Sequence, residues 1–336
     1  MINNKGYNSM KKCRTVLVTG AAGYIGSVLI RQLLEKNYKV IGFDALNFGG
    51  ESLLSYYNHP NFSFIKGDIR NKTNISPILN RTDSIVHLAA IVGDPACAQN
   101  KELAITTNWD GAKIIYDMAE ATDNVKRFVF ASTCSNYGKM KGTDYVTETS
   151  LLDPVSLYAE LKVKFENYLM NSKTRADFTP TALRFATVYG LSPRMRFDLT
   201  VNEFIRDVAF GKELVIFGEQ FWRPYTHVED LAGSCIKVLE SPAEKVDHDV
   251  FNVGDTRENY TKKMLAEEIL KIEPNAKISY VHKDEDPRDY RVNFEKIRDK
   301  LGYKITKTVP EGLYEIYQIL KDGLLTNPLD KKYRNS

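Results

Sequence analysis

The sequence is poor in cysteine, tryptophan and net charge, and no stretch of it is uniformly apolar. Its four cysteines, Cys13, Cys97, Cys134 and Cys235, show neither paired nor metal-type spacing. That excludes a disulfide framework and a zinc module, and fits free thiols in a reducing compartment. No run approaches the ~20 apolar residues that span a bilayer. The first dozen residues, with Asn3, Asn4, Asn8 and Ser9, lack the apolar core of a signal peptide. A cytoplasmic protein without a membrane partner is expected. The 46 lysines and arginines nearly balance 43 acids, leaving a net +3 with both signs interspersed. Only Lys11, Lys12 and Arg14 form a small basic cluster, so no nucleic-acid partner is expected. Met10 stands where an internal start would leave residues 1–9 as a leading tail, and residues 1–12 are predicted to be flexible. There is no internal repeat, and 336 residues suffice for one large domain or two that share an interface.

What is present begins at Thr15-Val-Leu-Val-Thr-Gly20-Ala-Ala-Gly23-Tyr24-Ile25-Gly26, a short apolar strand running through three glycines into a helix from about Tyr24 to Lys36. Free N–H groups and the positive end of the helix dipole favour an anion at such a turn, and a side chain at Gly23 would hold the backbone away from it. Ile25, Leu29, Leu33 and Leu34 give that helix a buried face, Asn37 can close it, and Lys39–Asp44 reads as the next strand. Asp44 lies 18 residues past Gly26, where a carboxylate accepts from both ribose hydroxyls of an adenosine. A 2′-phosphate would meet its charge, so NAD is expected rather than NADP.

Strands are predicted at 62–66, 84–88, 127–131, 181–185 and 249–253, alternating with helices at about 71–81, 101–122 and 154–173, the last opened by Asp153 and Pro154. This alternation implies an α/β fold, a doubly wound parallel sheet of Rossmann type with right-handed crossovers. Ligands on such a sheet bind at the carboxyl ends of the strands. Beyond Gly190 the pattern loosens. A loop at 192–196, helices near 199–210, 262–271, 294–301 and 311–321, and a strand at 213–217 suggest a smaller mixed α/β lobe with a cleft between the two. The expected division is a dinucleotide-binding part at 13–182 with contributions from about 223–255, a substrate lobe mainly at 183–326, and a polar tail at 327–336.

Tyr158 and Lys162 stand four residues apart, one turn up the same helix face. A phenol with a pKa of ~10 is a poor base at neutral pH, but a nearby lysine and a positive nicotinamide both favour the phenolate. Thr133, at the end of the preceding strand, can hold a substrate alcohol while Tyr158 takes its proton and a hydride leaves its carbon. Other conspicuous residues have plainer readings. His87 is expected to be a packed core histidine, His227 structural and Cys134 a small buried residue, with Trp109, Tyr116 and Met118 packing against the sheet or a second subunit.

From about Arg14 to about Leu320 the sequence resembles the extended short-chain dehydrogenase/reductase family, in the branch that remodels nucleotide-activated sugars. The likeness rests on Thr19–Gly26, Gly67-Asp68-Ile69-Arg70, His87-Leu88-Ala89-Ala90, Asn108-Trp-Asp-Gly111, Ser132–Gly138, Tyr158-x3-Lys162, Arg223–Asp230 and Phe251–Gly254, in the family's order. The resemblance implies that Gly20, Gly23, Tyr24, Ile25, Gly26, Asp44, Asp68, Ile69, Leu88, Ala89, Ala90 and Asn108 hold NAD together with Tyr158 and Lys162. It implies that Thr133, Tyr158 and Lys162 are catalytic, that no metal takes part, and that a nucleoside diphosphate sits on the second lobe with Arg223 and Arg288 on its phosphates. Bidentate guanidinium donors suit such a group. Thr187, Arg194, Arg196 and Asn202 are further candidates for sugar or phosphate recognition. A homodimer through the helices at 101–122 and 154–173 is also implied.

Within the family, sugar 4,6-dehydratases carry an Asp-Glu pair directly after the catalytic Thr, where this chain has Cys134 and Ser135. A thiol is a poor proton donor to a leaving hydroxyl, and an unaided serine is no general base. The glucuronate decarboxylases have Glu at the position of Ser135, and the fucose-synthase type has Cys there. What is left is oxidation or reduction at one carbinol, as a 4-epimerase or as a one-way 4-dehydrogenase or ketoreductase. The 4,6-dehydratase and a non-catalytic NAD-binding regulator are the alternatives. Thr187 in place of a frequent Asn, with the segments 192–202 and 286–291, resembles a side branch that includes GDP-heptose 4-dehydrogenases.

Overall fold

The structure, a computed structural model, describes residues 14–139, 144–286 and 288–335. Lys11, Lys12, Cys13, the proposed start at Met10 and the leading tail lie outside the described residues. Six strands, β1 (Thr15–Thr19), β2 (Lys39–Asp44), β3 (Phe62–Lys66), β4 (Ser84–His87), β5 (Arg127–Thr133) and β6 (Thr179–Phe185), come first. They are followed by β7 (Thr187–Tyr189), β8 (Leu214–Phe217), β9 (Trp222–His227), β10 (Asp249–Val253), β11 (Asn259–Thr261) and β12 (Ile278–Val281). Seven of these form one sheet in the order β10-β6-β5-β4-β1-β2-β3, every neighbouring pair parallel. The order reverses beside β1, the point where an open parallel sheet leaves a crevice for a ligand. The strand expected at 249–253 thus does rejoin the sheet, as its outer member.

The helices are α1 (Tyr24–Glu35), α2 (Lys72–Leu79), α3 (Asp94–Gln99), α4 (Lys101–Ile105), α5 (Ala112–Glu120) and α6 (Leu157–Asn171). Then come α7 (Thr200–Ala209), α8 (Val228–Glu240), α9 (Lys262–Ile272), α10 (Glu295–Leu301) and α11 (Val309–Lys321). Because successive residues of a strand face opposite ways, Val16 and Val18 of β1 pack with Leu29, Leu33 and Leu231 on one face. Leu17 packs with Ile115, Phe128 and Phe165 on the other. Both faces are therefore covered by helices, as a parallel sheet requires. A third core, with Tyr189, Phe197, Ile205, Leu265 and Leu313, belongs to the smaller lobe. There β9 lies between β7 and β11, and β8 pairs with β12.

Two helices depart from expectation. The segment at 101–122 is not one helix: α4 and α5 are separated by a wide π turn at Thr106–Gly111. The helix expected to open at Asp153 and Pro154 begins only at Leu157, because the Ser156 hydroxyl caps it by accepting from the Ala159 N–H at 3.3 Å. Residues beyond Asn327 dock onto the smaller lobe rather than trail from it: the Phe197 N–H donates to the Tyr333 carbonyl at 2.8 Å and their rings meet edge to face.

Candidate active site

The turn after β1 is shaped by glycine. Gly20 has φ +72°, and a Cβ there would lie 2.9 Å from the Ala89 nitrogen. At Gly26 a Cβ would lie 2.1 Å from the Gly20 carbonyl oxygen. With backbone on each side, neither position admits a larger residue, and the three glycines bring the start of α1 against the ends of β1 and β4. Helix α1 has no side-chain cap and no acidic residue in its first turn. Its positive end therefore faces the cleft uncompensated.

That cleft, about 730 Å³, is lined by Gly20, Gly23, Tyr24, Ile25 and Gly26, then by Asp44, Asp68 and Ile69 at one end. Leu88, Ala89 and Ala90 form its floor, and Thr133, Tyr158 and Lys162 its other end. Asp44 accepts the Ala22 N–H at 3.0 Å and the Leu46 N–H at 2.8 Å. Burial raises its pKa above the usual carboxylate value. Asp68 is gripped by the Arg70 guanidinium, with Nη2 2.6 Å from Oδ2, which lowers its pKa.

At the other end of the cleft, Thr133 is the last residue of β5, and its Oγ1 accepts the Ser135 N–H at 3.1 Å. The Tyr158 phenol is within side-chain hydrogen-bond reach of Thr133. Lys162 is buried, and its ammonium donates to the Ala131 carbonyl at 2.6 Å while lying 5.8 Å from the Tyr158 ring centroid. Burial brings the Lys162 pKa down to about 8. Burial also raises the Tyr158 pKa above the usual phenol value, with the nearby Cys97 adding to the rise. Arg196 and Thr133 favour the phenolate against the larger effect of burial, while the Lys162 ammonium is directed at a backbone carbonyl.

Five expected site residues do not line this cleft: Asn108, Thr187, Asn202, Arg223 and Arg288. Asn108 is buried at the π turn, where its amide brackets Ile91, accepting from the N–H at 2.7 Å and donating to the carbonyl at 2.9 Å. There it holds Ile91, which does line the cleft. Asn202 is fully buried and holds Gly190, Arg196 and the Tyr24 hydroxyl. Thr187 begins β7, paired to Tyr225. Arg223 is ion-paired with Asp286 at 2.8 Å, and Arg288 with Asp94 at 2.9 Å. Arg194 and Arg196 do line a ligand cleft, but it is the one that holds the glycine turn and not a separate pocket of the second lobe.

The plainer readings agree with the structure. His87 is buried, bonded to the Thr19 hydroxyl at 2.8 Å and stacked near Phe130, and burial lowers its pKa to about 3. His227 is buried against Glu315 at 2.5 Å, and its other nitrogen accepts the Glu229 N–H at the start of α8. Cys134 is buried and donates to the Arg184 carbonyl at 3.2 Å. Sequence reasoning missed the support beneath the end of β5. The Glu166 carboxylate pairs with Arg184 at 2.5 Å and accepts the Ser132 hydroxyl at 2.6 Å. Its spacing, one turn beyond Lys162, was the available signal.

Residues 16–254 match the model of the NAD dependent epimerase/dehydratase family. The chain belongs to that family. A Bacillus subtilis protein named as an uncharacterized UDP-glucose epimerase is 34% identical over 68% of this chain and 73% of its own length. The Thermotoga maritima UDP-glucose 4-epimerase, solved with UDP-glucose, superposes with a TM-score of 0.82 at 27% identity, covering 93% of this chain and 100% of that one. The dTDP-glucose 4,6-dehydratase of Bacillus anthracis, solved with NAD, gives 0.82 at 26% identity over 94% and 100%.

The chain is thus an NAD-dependent enzyme of the extended short-chain dehydrogenase/reductase type, and its cleft fits that cofactor. Gly20 and Gly26 admit no Cβ, the end of α1 offers N–H groups to a pyrophosphate, and Asp44 stands at the strand end where a ribose would lie. Among the described residues no helix is long and apolar enough to cross a membrane.

Proposed function

We propose that this family member modifies a nucleoside-diphosphate sugar by hydride transfer at C4, as a 4-epimerase or a 4-dehydrogenase/4-ketoreductase. The observation that carries the reading is the meeting of Thr133, Tyr158 and Lys162 at one end of the cofactor cleft. The named activities of the relatives support the substrate class.

In this reading Thr133 fixes the sugar hydroxyl by hydrogen bonding, and Tyr158 takes or returns its proton. When bound, the cofactor supplies hydride exchange at the carbinol carbon and, oxidised, a positive ring charge that favours the phenolate. The buried Lys162, anchored on Ala131, sets its charge beside the Tyr158 ring, 5.8 Å from the centroid. Dehydration has less support. Cys134 is buried with its thiol turned to Arg184, and burial pushes its pKa well up, so it donates no proton to a C6 hydroxyl. Arg223 and Arg288 stay the proposed diphosphate ligands. A diphosphate reaching them takes the place that the carboxylates of Asp286 and Asp94 now hold. Thr187 is kept on the sugar side, and a homodimer through α5 and α6 belongs to the same reading, tested by light scattering.

The decisive experiment incubates the enzyme with UDP-, GDP-, CDP- and dTDP-sugars and follows products by NMR. One of them is expected to turn over, and Tyr158→Phe is expected to abolish that turnover with little loss of NAD affinity. Absence of hydride exchange with every sugar, or unchanged turnover in Tyr158→Phe, overturns the proposal.

A further inference from the structure

The loop from Gly190 to Asp198 crosses the start of α1 and is fastened there. The Tyr24 hydroxyl donates to the Gly190 carbonyl at 2.5 Å, and the Ser192 hydroxyl donates to the Tyr24 carbonyl at 2.7 Å. Asn202 bonds both the Tyr24 hydroxyl and the Arg196 carbonyl. The C-terminal segment clasps the loop from outside. Arg194 Nη2 donates to the Arg334 carbonyl at 3.1 Å, and the Asn335 N–H donates to Asp198 at 3.1 Å. Arg194 and Arg196 are thereby set into the wall of the cofactor cleft.

The two arginines differ in how they are satisfied. Arg196 is held in a bidentate pair by Asp198, at 3.0 and 2.8 Å. Arg194 forms no ion pair among the described residues. Its guanidinium lies on the Phe48 ring, 4.5 Å from the centroid, and its Nε is buried with no hydrogen-bond partner, although the whole residue is only 8% exposed. Asp198 and Asp44 both attract it, but Asp198 is taken up by Arg196 and both oxygens of Asp44 already accept backbone N–H groups. A buried cation with no anion bonded directly to it is costly unless a ligand completes it. The uncapped start of α1 leaves its positive end open to the same cleft that Arg194 lines.

We propose that Arg194 is a cofactor-clamping residue, closing the pyrophosphate seat opposite the glycine turn and held in place by the 190–198 loop and the C-terminal segment. The dianion then sits between the N–H groups of α1 and a guanidinium of the other lobe. A dinucleotide gripped from both lobes leaves slowly, which suits a hydride that returns to the same sugar. Only that last consequence rests on the proposed sugar chemistry; the clamp concerns cofactor binding alone, so the two fail separately.

The test compares wild type with Arg194→Ala and Arg194→Gln, measuring affinities for NAD, ADP-ribose and adenosine by calorimetry and ligand-observed NMR. Both variants are expected to bind NAD and ADP-ribose about 10- to 100-fold more weakly and adenosine about as well as wild type. Gel filtration is expected to strip NAD from the variants faster than from wild type. Unchanged ADP-ribose affinity in a folded variant overturns the proposal. So does a parallel loss of adenosine binding, which would mean that Arg194 only supports the fold. Should the alanine variant fail to fold, the glutamine variant, which keeps most of the side-chain length, decides by the same criteria.

Discussion

Glu166→Ala takes the anion away from a guanidinium that has no route to water. The two side chains are only 2% and 5% exposed. Arg184 donates to the carboxylate through Nη2 at 2.5 Å and Nε at 3.1 Å, while the Ser132 hydroxyl donates to its other oxygen at 2.6 Å. After truncation Arg184 keeps only neutral partners, the Tyr137 hydroxyl at 2.8 Å and the Glu148 carbonyl at 3.2 Å. Breaking a buried pair from one side costs about 3–5 kcal/mol, and the Ser132 hydroxyl, which keeps the Asn136 amide but loses the acceptor for its own proton, adds about 1 kcal/mol. The Arg31–Glu35 pair, with side chains 36% and 58% exposed, is the control. Solvent screens it, so Glu35→Ala is expected to cost no more than about 1 kcal/mol. Urea denaturation of the cofactor-free chains at neutral pH measures both. Replacing the pair together, as Glu166→Leu with Arg184→Met, is expected to recover most of the loss, because neither charge then stays buried. Ser132 precedes Thr133 and Glu166 follows Lys162 by one turn, so kcat is expected to fall in the single variant as well. A loss in Glu166→Ala no larger than in Glu35→Ala would refute the reasoning.

Gly26→Ala puts a Cβ 2.1 Å from the Gly20 carbonyl oxygen and 2.9 Å from that of Ala21, both backbone atoms. It is expected to weaken NAD binding by about tenfold or more, because the turn must open to admit it; a fluorescence titration matching wild type would count against the cradle. Lys162 has a folded pKa of about 8 set by burial, against an ordinary value of 10.5. Between those two values the unfolded chain binds more protons, so this group's contribution to stability rises with pH across that window and is unfavourable below it, by about 3 kcal/mol in all. The stability difference between wild type and Lys162→Met should therefore shift in favour of wild type from pH 7.5 to pH 10; a pH-independent difference would show that the ammonium is not desolvated.

The parts of the site that were legible in the sequence are those whose chemistry is local. The three glycines, the apolar alternation of β1 and the four-residue spacing of Tyr158 and Lys162 each express a backbone or helical period that neighbouring residues set among themselves. His87 and Cys134 were legible for the same reason, since each sits on or directly beyond a strand whose burial is written in its flanks. Boundaries failed where a single side chain outweighed the pattern. Ser156 moved the start of α6, and the Asn108 amide, clamped on Ile91, sits within the π turn that interrupts the helix expected at 101–122.

The sequence by itself determined the parallel sheet, the glycine turn before α1, the dependence on NAD and the one-turn spacing of Tyr158 and Lys162, because each follows from periodicity or from groups close together in the chain. Tertiary structure alone decided which charges are spent on the protein itself. Arg223 meets Asp286, Arg288 meets Asp94 and Arg184 meets Glu166 across long stretches of chain. Arg194 is carried into the wall of the cleft by a loop that Tyr24 and Arg334 both hold. Whether a guanidinium faces a carboxylate, a carbonyl or a ligand depends on which distant segments pack beside it, and no local pattern of residues records that.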